Sequence, residues 1–347
     1  MIEMTASKSF AEGREAGRCS DGALPVAPKR REGGLPRRAF EDASTQRGGY
    51  SARAGYTARA GYGARAGYSA PGLFGHRLVW LNLVCLDAPL VAISWQWLFA
   101  KAFDVPVNTA SRAALFLTAW LIYLADRRGD ASTLESGAPT SLRQRFCFRH
   151  RKAWLTVIVI VGSADAWLIG TLLDSRTVAV GALIGGVALG YLILNHRRSE
   201  IWRALSLKEM LVGFLFATGV MVALVHGLTL DLLPVWVLFG GLCTLNCISI
   251  AVWERALDVA QGRVSLATVF QAIGRVVLPA LLILAAGCFA LALTAFGPRA
   301  VYRCLATSAL LLAAAHWFEN RSDPDRRTAL ADLVLLTPVL VWVADAF

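Results

Sequence analysis

From Leu78 onward, apolar stretches recur at roughly 30-residue intervals, each long enough to cross about 30 Å of hydrocarbon, with short polar gaps between them. They fall near 78–100, 108–125, 153–173, 177–195, 206–227, 232–253, 270–295, 299–317 and 327–346. Barrel strands would need only about ten residues of alternating pattern, so the stretches read as helices. The pattern therefore predicts an all-α, polytopic membrane protein with nine transmembrane helices. Residues 1–76 have no such period and are rich in Gly, Ala, Arg, Ser and Pro. From Gly49 they repeat every six residues as GYSARA, GYTARA, GYGARA and GYSAPG. One Tyr per unit buries too little to offset chain entropy. The expectation is a disordered low-complexity tail, 1–76, ahead of a membrane domain, 77–347. The first 70 residues hold no apolar run of the kind found in a secretory signal.

Composition sharpens this. Hydrophobic residues make up 56% of the chain, charged residues 17%, and the mean hydropathy is +0.52. Soluble domains carry about a quarter charged residues, so the composition argues against a soluble enzyme and for a polytopic membrane protein. Seven Cys in 347 residues are too sparse for a disulfide scaffold, and Cys243 and Cys247, one helical turn apart in an apolar run, read as buried thiols.

The net charge of +11 is unevenly placed. The gaps after the second, fourth, sixth and eighth stretches, with the stretch ends beside them, hold seventeen Lys and Arg, and the other gaps with their flanking stretch ends hold five. By the positive-inside rule the basic gaps, including the loops 126–152 and 254–269, are cytoplasmic. The N-terminus is then inside and the C-terminus outside. The expected location is a multi-pass position in a bacterial inner membrane.

The second stretch runs into Asp126-Arg-Arg-Gly-Asp130 and the sixth into Glu254-Arg-Ala-Leu-Asp258. Acids at i and i+4 stack on one helix face, about 5–6 Å apart. Four such carboxylates with water and phosphate oxygens suit Mg²⁺. Arg127, Arg128 and Arg255 stand beside the first acid of each pair and could take diphosphate oxygens in a bidentate fork. Either pair alone also fits ordinary acids at a membrane interface. Arg275 could reach the same anion or extend to lipid headgroups.

At these residues the sequence resembles the UbiA-type intramembrane prenyltransferases. That family has nine transmembrane helices, a cytoplasmic N-terminus and aspartate-rich motifs after helices 2 and 6. Its first motif, NDxxDxxxD, is matched by Asp126 and Asp130, with Ile122-Tyr123 in place of the leading Asn-Asp. Its second, DxxxD, is matched by Glu254 and Asp258, and Ala251 stands at a further acidic position. The family's Tyr-x-x-x-Lys is met by Tyr191 and Asn195, with Arg197 as a substitute for the Lys; Lys208 opens the fifth helix. The resemblance implies a nine-helix UbiA-like bundle. It implies an integral-membrane transferase with Mg²⁺ as cofactor. Asp126, Asp130, Glu254 and Asp258 would be the catalytic metal ligands. Tyr191, Arg197, Lys208, Arg127, Arg128, Arg255 and Arg275 would meet the diphosphate. The partners would be an isoprenyl diphosphate, a lipophilic acceptor and the bilayer, with no specific nucleic acid and no protein partner.

Asp87, Asp165 and Asp332 lie inside apolar stretches, where an ionisable group is either functional or hydrogen-bonded between helices. The five His show no metal-ligand spacing. The basic and aromatic run Arg143–Lys152, beside a membrane helix, suits anionic lipid. Two other readings stand beside the transferase: a non-catalytic protein of the same fold, and a secondary transporter using Asp87 or Asp165.

Overall fold

Each of the nine apolar stretches carries helix in the computed structural model, which describes residues 79–132, 139–197, 207–227, 229–294, 297–318 and 324–346. The repeat-bearing tail 1–76 lies outside the described residues, among which there is no strand. After a short helical stretch at 79–83 come α1 (Asp87–Ala102), α2 (Thr109–Ser132), α3 (Leu142–Arg149), α4 (Arg151–Leu172), α5 (Ser175–Arg197) and α6 (Lys208–Met221). A 3₁₀ turn, Val222–Gly227, prolongs α6. Then follow α7 (Leu232–Trp253), α8 (Arg255–Ala260), α9 (Leu266–Val269), α10 (Ile273–Leu293), α11 (Arg299–Trp317), α12 (Pro324–Leu333) and α13 (Pro338–Ala346).

Local chemistry sets several of these boundaries. Ser141 and Gln144 form a reciprocal capping box at the start of α3. Pro324 and Pro338 open α12 and α13, where a missing N–H costs nothing. Helix α7 is apolar around its circumference and sits centrally, packed against α6, α10, α11 and α12. Gly213 and Gly240 let α6 and α7 approach closely: a Cβ at Gly213 would press on the Thr244 backbone, and one at Gly240 on the Phe214 ring. The core is anchored by Trp95 and Phe99 of α1 and Phe239 of α7, whose ring centroids lie 4.6–5.5 Å apart. On the outside, Ile160, Trp167, Leu183 and Ile283 are 61–73% exposed. Apolar exposure on that scale is the surface a hydrocarbon solvent covers.

Among the described residues, five helices are long and apolar enough to cross a membrane: Arg151–Leu172, Ser175–Arg197, Lys208–Gly227, Leu232–Trp253 and Ile273–Leu293. A sixth span is possible through the bent pair Pro324–Leu333 and Pro338–Asp345, which turns by 48°. The first stretch falls short because it breaks at 84–86, leaving 16 residues in α1. Helix α2 runs on to Ser132 and so carries its charged residues on the helix itself.

Candidate functional site

Asp126 and Asp130 both lie on α2, one turn apart. Glu254 instead ends α7, and Asp258 belongs to α8. The chain turns at Glu254 but keeps the i→i+4 bond from the Asp258 amide to the Glu254 carbonyl at 2.9 Å. The two acid segments meet through basic residues of each other's loops. Arg263, which follows α8, donates Nη1 to Asp130 Oδ2 at 2.7 Å and Nη2 to the Asp130 carbonyl at 2.9 Å. Arg143, on α3, pairs with Glu254. Thr328 of α12 donates to the other oxygen of Glu254 at 3.1 Å. Gln144 and Gln261 hydrogen-bond side chain to side chain at 3.0–3.1 Å between the same two loops, and Gln261 also donates to the Pro139 carbonyl. The loops 126–152 and 254–269 therefore form one polar layer at one end of the bundle.

A third component comes from the end of α5. His196 lies beside Asp126 and Asp130, and one donor atom from each of the three falls within 4.8 Å of the others. Its Nδ1 faces the Leu192 carbonyl at 2.7 Å, which leaves Nε2 buried and without a hydrogen-bond partner among the described residues. That nitrogen sits over Gly129: a Cβ there would fall inside the imidazole. Only Gly, between Asp126 and Asp130 on α2, admits the ring. His196 is 66 positions from Asp130, so spacing along the chain gave no sign of the cluster. Glu254 and Asp258 are not part of it; Glu254 is taken up by Arg143 and Thr328.

Of the basic residues expected to meet an anion, Arg127 acts electrostatically on Asp126, Asp130 and Glu254. Lys208, the first residue of α6, acts on both Asp126 and Asp258. Tyr191 lies within electrostatic reach of Asp126 and Asp130. Arg128 turns the other way and donates to the Arg151 carbonyl at 3.5 Å. Arg197 and Arg275 are exposed, Arg255 is half-buried, and among the described residues none of the three forms an ion pair with these acids. Glu209, buried beside this layer, accepts from the Leu266 amide at 2.8 Å. Burial pushes the Asp258 carboxyl up to about 6; a hydrogen bond with Ser265 pulls the other way, and the charge of Glu254 adds to the rise.

Deeper in the bundle, Asp165 accepts from Thr118 at 2.6 Å, a helix-to-helix hydrogen bond between α4 and α2. Asp87 and Asp332 are also buried. No protein-family model, no curated protein and no solved structure matches the chain.

Proposed function

We propose that the chain is an integral-membrane transferase of the UbiA type that moves a prenyl group from an isoprenyl diphosphate to an aromatic or other lipophilic acceptor. The observation that carries this reading is the reciprocal layer in which Arg263 holds Asp130 and Arg143 holds Glu254. Alternating carboxylates and guanidiniums at the end of an apolar bundle match an anionic headgroup on an apolar tail.

The donors there fit a divalent cation. Asp126 and Asp130 supply oxygens, and the orphaned Nε2 of His196 faces them. These residues would hold Mg²⁺, with diphosphate oxygens completing its shell. When bound, the ion offsets the charge of the departing diphosphate. The remaining work falls to the chain's own residues. Arg127, Arg143, Arg263 and Lys208 bind and orient the diphosphate, whose oxygens displace carboxylates from the guanidiniums. Glu254, through Arg143, holds the second loop against the first. Apolar side chains beneath the polar layer would exclude water from the prenyl tail and from the allylic cation left when the C–O bond breaks.

In this reading the nine helices form a UbiA-like bundle of nine crossings in a bacterial inner membrane. The polar layer faces the cytoplasm and the C-terminus lies outside. The test is incubation of the purified full chain in lipid nanodiscs with labelled isoprenyl diphosphates, Mg²⁺ and a panel of aromatic acceptors. Prenylated product that disappears with EDTA and in Asp130→Asn supports the reading. Wild-type protein that binds no prenyl diphosphate at saturating Mg²⁺ overturns it.

A further inference from the structure

Two helix breaks meet inside the bundle, and each carries a buried carboxylate. The first lies between the helical residues 79–83 and α1, where Cys85 adopts φ +58° and frees the Val84 carbonyl. Trp120 Nε1 satisfies that carbonyl at 2.9 Å. Asp87 follows at once. The second lies between α12 and α13, where Pro338 lacks an N–H for the ladder and the axis bends by 48°. Trp95 Nε1 takes up the Leu335 carbonyl there at 2.8 Å. Asp332 precedes this break by two residues. Irregular backbone at membrane depth is tolerated only where protein or a cavity lines it, and such paired breaks commonly frame ion sites.

Asp87 is 2% exposed and Asp332 7%, and the two side chains interact directly. Each is also held by an amide: Asn82 Nδ2 donates to Asp87 at 2.6 Å, and Asn246 Nδ2 to Asp332 at 2.9 Å. Because Asn246 spends its Nδ2 on Asp332, its Oδ1 is left as an acceptor. That oxygen is buried with no partner among the described residues, and Asn246 as a whole is 5% exposed. Asn246 and Asp332 line a cavity of about 20 Å³, together with Tyr123, Cys247 and Gly213. That volume holds one water-sized occupant. The other titratable groups facing the pair are Tyr123 and Arg127 from α2, Cys243 and Cys247 from α7, and Cys85 from the first break. Arg127 is the one cation in this set, and it also serves Asp126, Asp130 and Glu254.

The lining thus presents the oxygens of Asp332, Asn246 and Tyr123, with Asp87 held against Asp332 just outside it, and is short of positive charge. A proton shared by the two carboxyls would remove charge but leave Asn246 Oδ1 unpaired and the cavity unfilled. A water would donate to Asn246 but leave the charge. Mg²⁺ keeps a shell of several waters, for which the cavity has no room. A shared proton and a water together would meet both needs with two occupants, whereas one small monovalent cation meets them alone. We propose that Asp332 and Asn246, with Asp87 adding its charge from behind Asp332, form an intramembrane site for a single Na⁺, distinct from the polar layer and independent of prenyl transfer.

The full chain in detergent is prepared in choline chloride at pH 8 and titrated with NaCl at constant ionic strength, with the melting temperature as readout. A tenfold excess over the dissociation constant should raise it by several degrees, since a ligand that binds only the folded state stabilises it. Choline and KCl should not. Equilibrium dialysis with ²²Na⁺ should give about one ion per chain. Asp332→Asn and, separately, Asn246→Leu should abolish both effects. If Asp332→Asn does not fold, the wild-type stoichiometry and Asn246→Leu decide the matter. A melting temperature that responds to pH but not to Na⁺ would mean a proton only and overturns the site. So does a response to neither, which leaves a buried water, and so does Na⁺ dependence retained in a folded variant.

Discussion

Arg263 closes a fork on Asp130 from the far side of the polar layer, one nitrogen on the carboxylate at 2.7 Å and the other on the backbone carbonyl at 2.9 Å. The fork ties the end of α2 to the turn after α8, across more than a hundred residues of chain. It also neutralises an acid that a divalent cation would need. Its removal therefore has two opposite effects. Arg263→Gln should cost about 1.5–3 kcal/mol of stability, the value of hydrogen bonds to a charged group. It should at the same time tighten Mn²⁺ binding, followed by EPR, because the cation no longer competes with a guanidinium. If both stability and Mn²⁺ affinity fall, the fork builds the site instead of competing for it.

The Arg143–Glu254 pair is more deeply buried, with side-chain exposures of 9% and 13%. Removing one partner of such a pair leaves an uncompensated charge, at a cost of about 3–5 kcal/mol. Glu254→Leu should show a loss on that scale in chemical denaturation. The double variant Arg143→Met with Glu254→Leu should recover most of it. A double variant as unstable as the sum of the singles would mean that the pair contributes nothing as a pair.

The positions of the helices were legible in the sequence because each apolar stretch is rich enough in apolar residues to mark a helix, and five of the nine stretches, the third to the seventh, are helices long and apolar enough to span a membrane among the described residues. The acid pair Asp126 and Asp130 was legible because both residues sit on one helix, where spacing alone sets geometry. The arginine partners were not, since Arg143 and Arg263 reach their acids only after distant segments pack. The breaks at Cys85 and before Pro338 were equally hidden: an apolar run reads as continuous whether or not its backbone is. His196 was passed over because a side chain contributed by another helix leaves no local pattern.

Gly129 makes room for the His196 imidazole. Ala at this position gains about 1 kcal/mol of helix propensity but puts its Cβ where the imidazole lies. Gly129→Ala should therefore leave folded yield near wild type and displace His196 from its bond to Leu192. Mn²⁺ affinity should fall at least tenfold. Unchanged affinity would remove His196 from the cation site.

Asp258 supplies a pH dependence with a definite sign. Burial lifts its carboxyl from 3.8 in the unfolded chain to about 6 when folded. The fold thus favours the protonated form, and the stability this group contributes is complete below about pH 4 and lost as pH rises through about 6. At 1.36 kcal/mol per pKa unit the change is at most about 3 kcal/mol. Asp258→Asn lacks the titration. Its melting temperature should draw ahead of wild type between pH 4 and 6 and keep that lead at pH 7. Parallel curves for the two proteins would show that Asp258 is solvated in the folded state.

The sharpest separation between a cation-dependent transferase and an inert helical bundle comes from the two acids of α2. Asp126 and Asp130 share a face with His196, and their oxygens are the ones within reach of a single ion. Asn at either position keeps the size and the hydrogen-bonding capacity while deleting one charge. For Asp130 the Arg263 fork retains a carbonyl and an amide oxygen to hold, so the helix end should stay docked. Removing one carboxylate from a cation–diphosphate site takes away several kcal/mol of transition-state stabilisation. Asp126→Asn and Asp130→Asn should each lower prenyl transfer by on the order of 10²-fold or more, with melting temperatures within a few degrees of wild type. Raising Mg²⁺ tenfold should recover part of the loss, because a weakened site is filled by mass action. Asn variants that turn over and bind prenyl diphosphate as well as wild type, at both limiting and saturating Mg²⁺, would make these carboxylates ordinary members of the polar layer. The transferase reading would then fall, while a Na⁺ site at Asp87 and Asp332 would still have to be judged by its own titration.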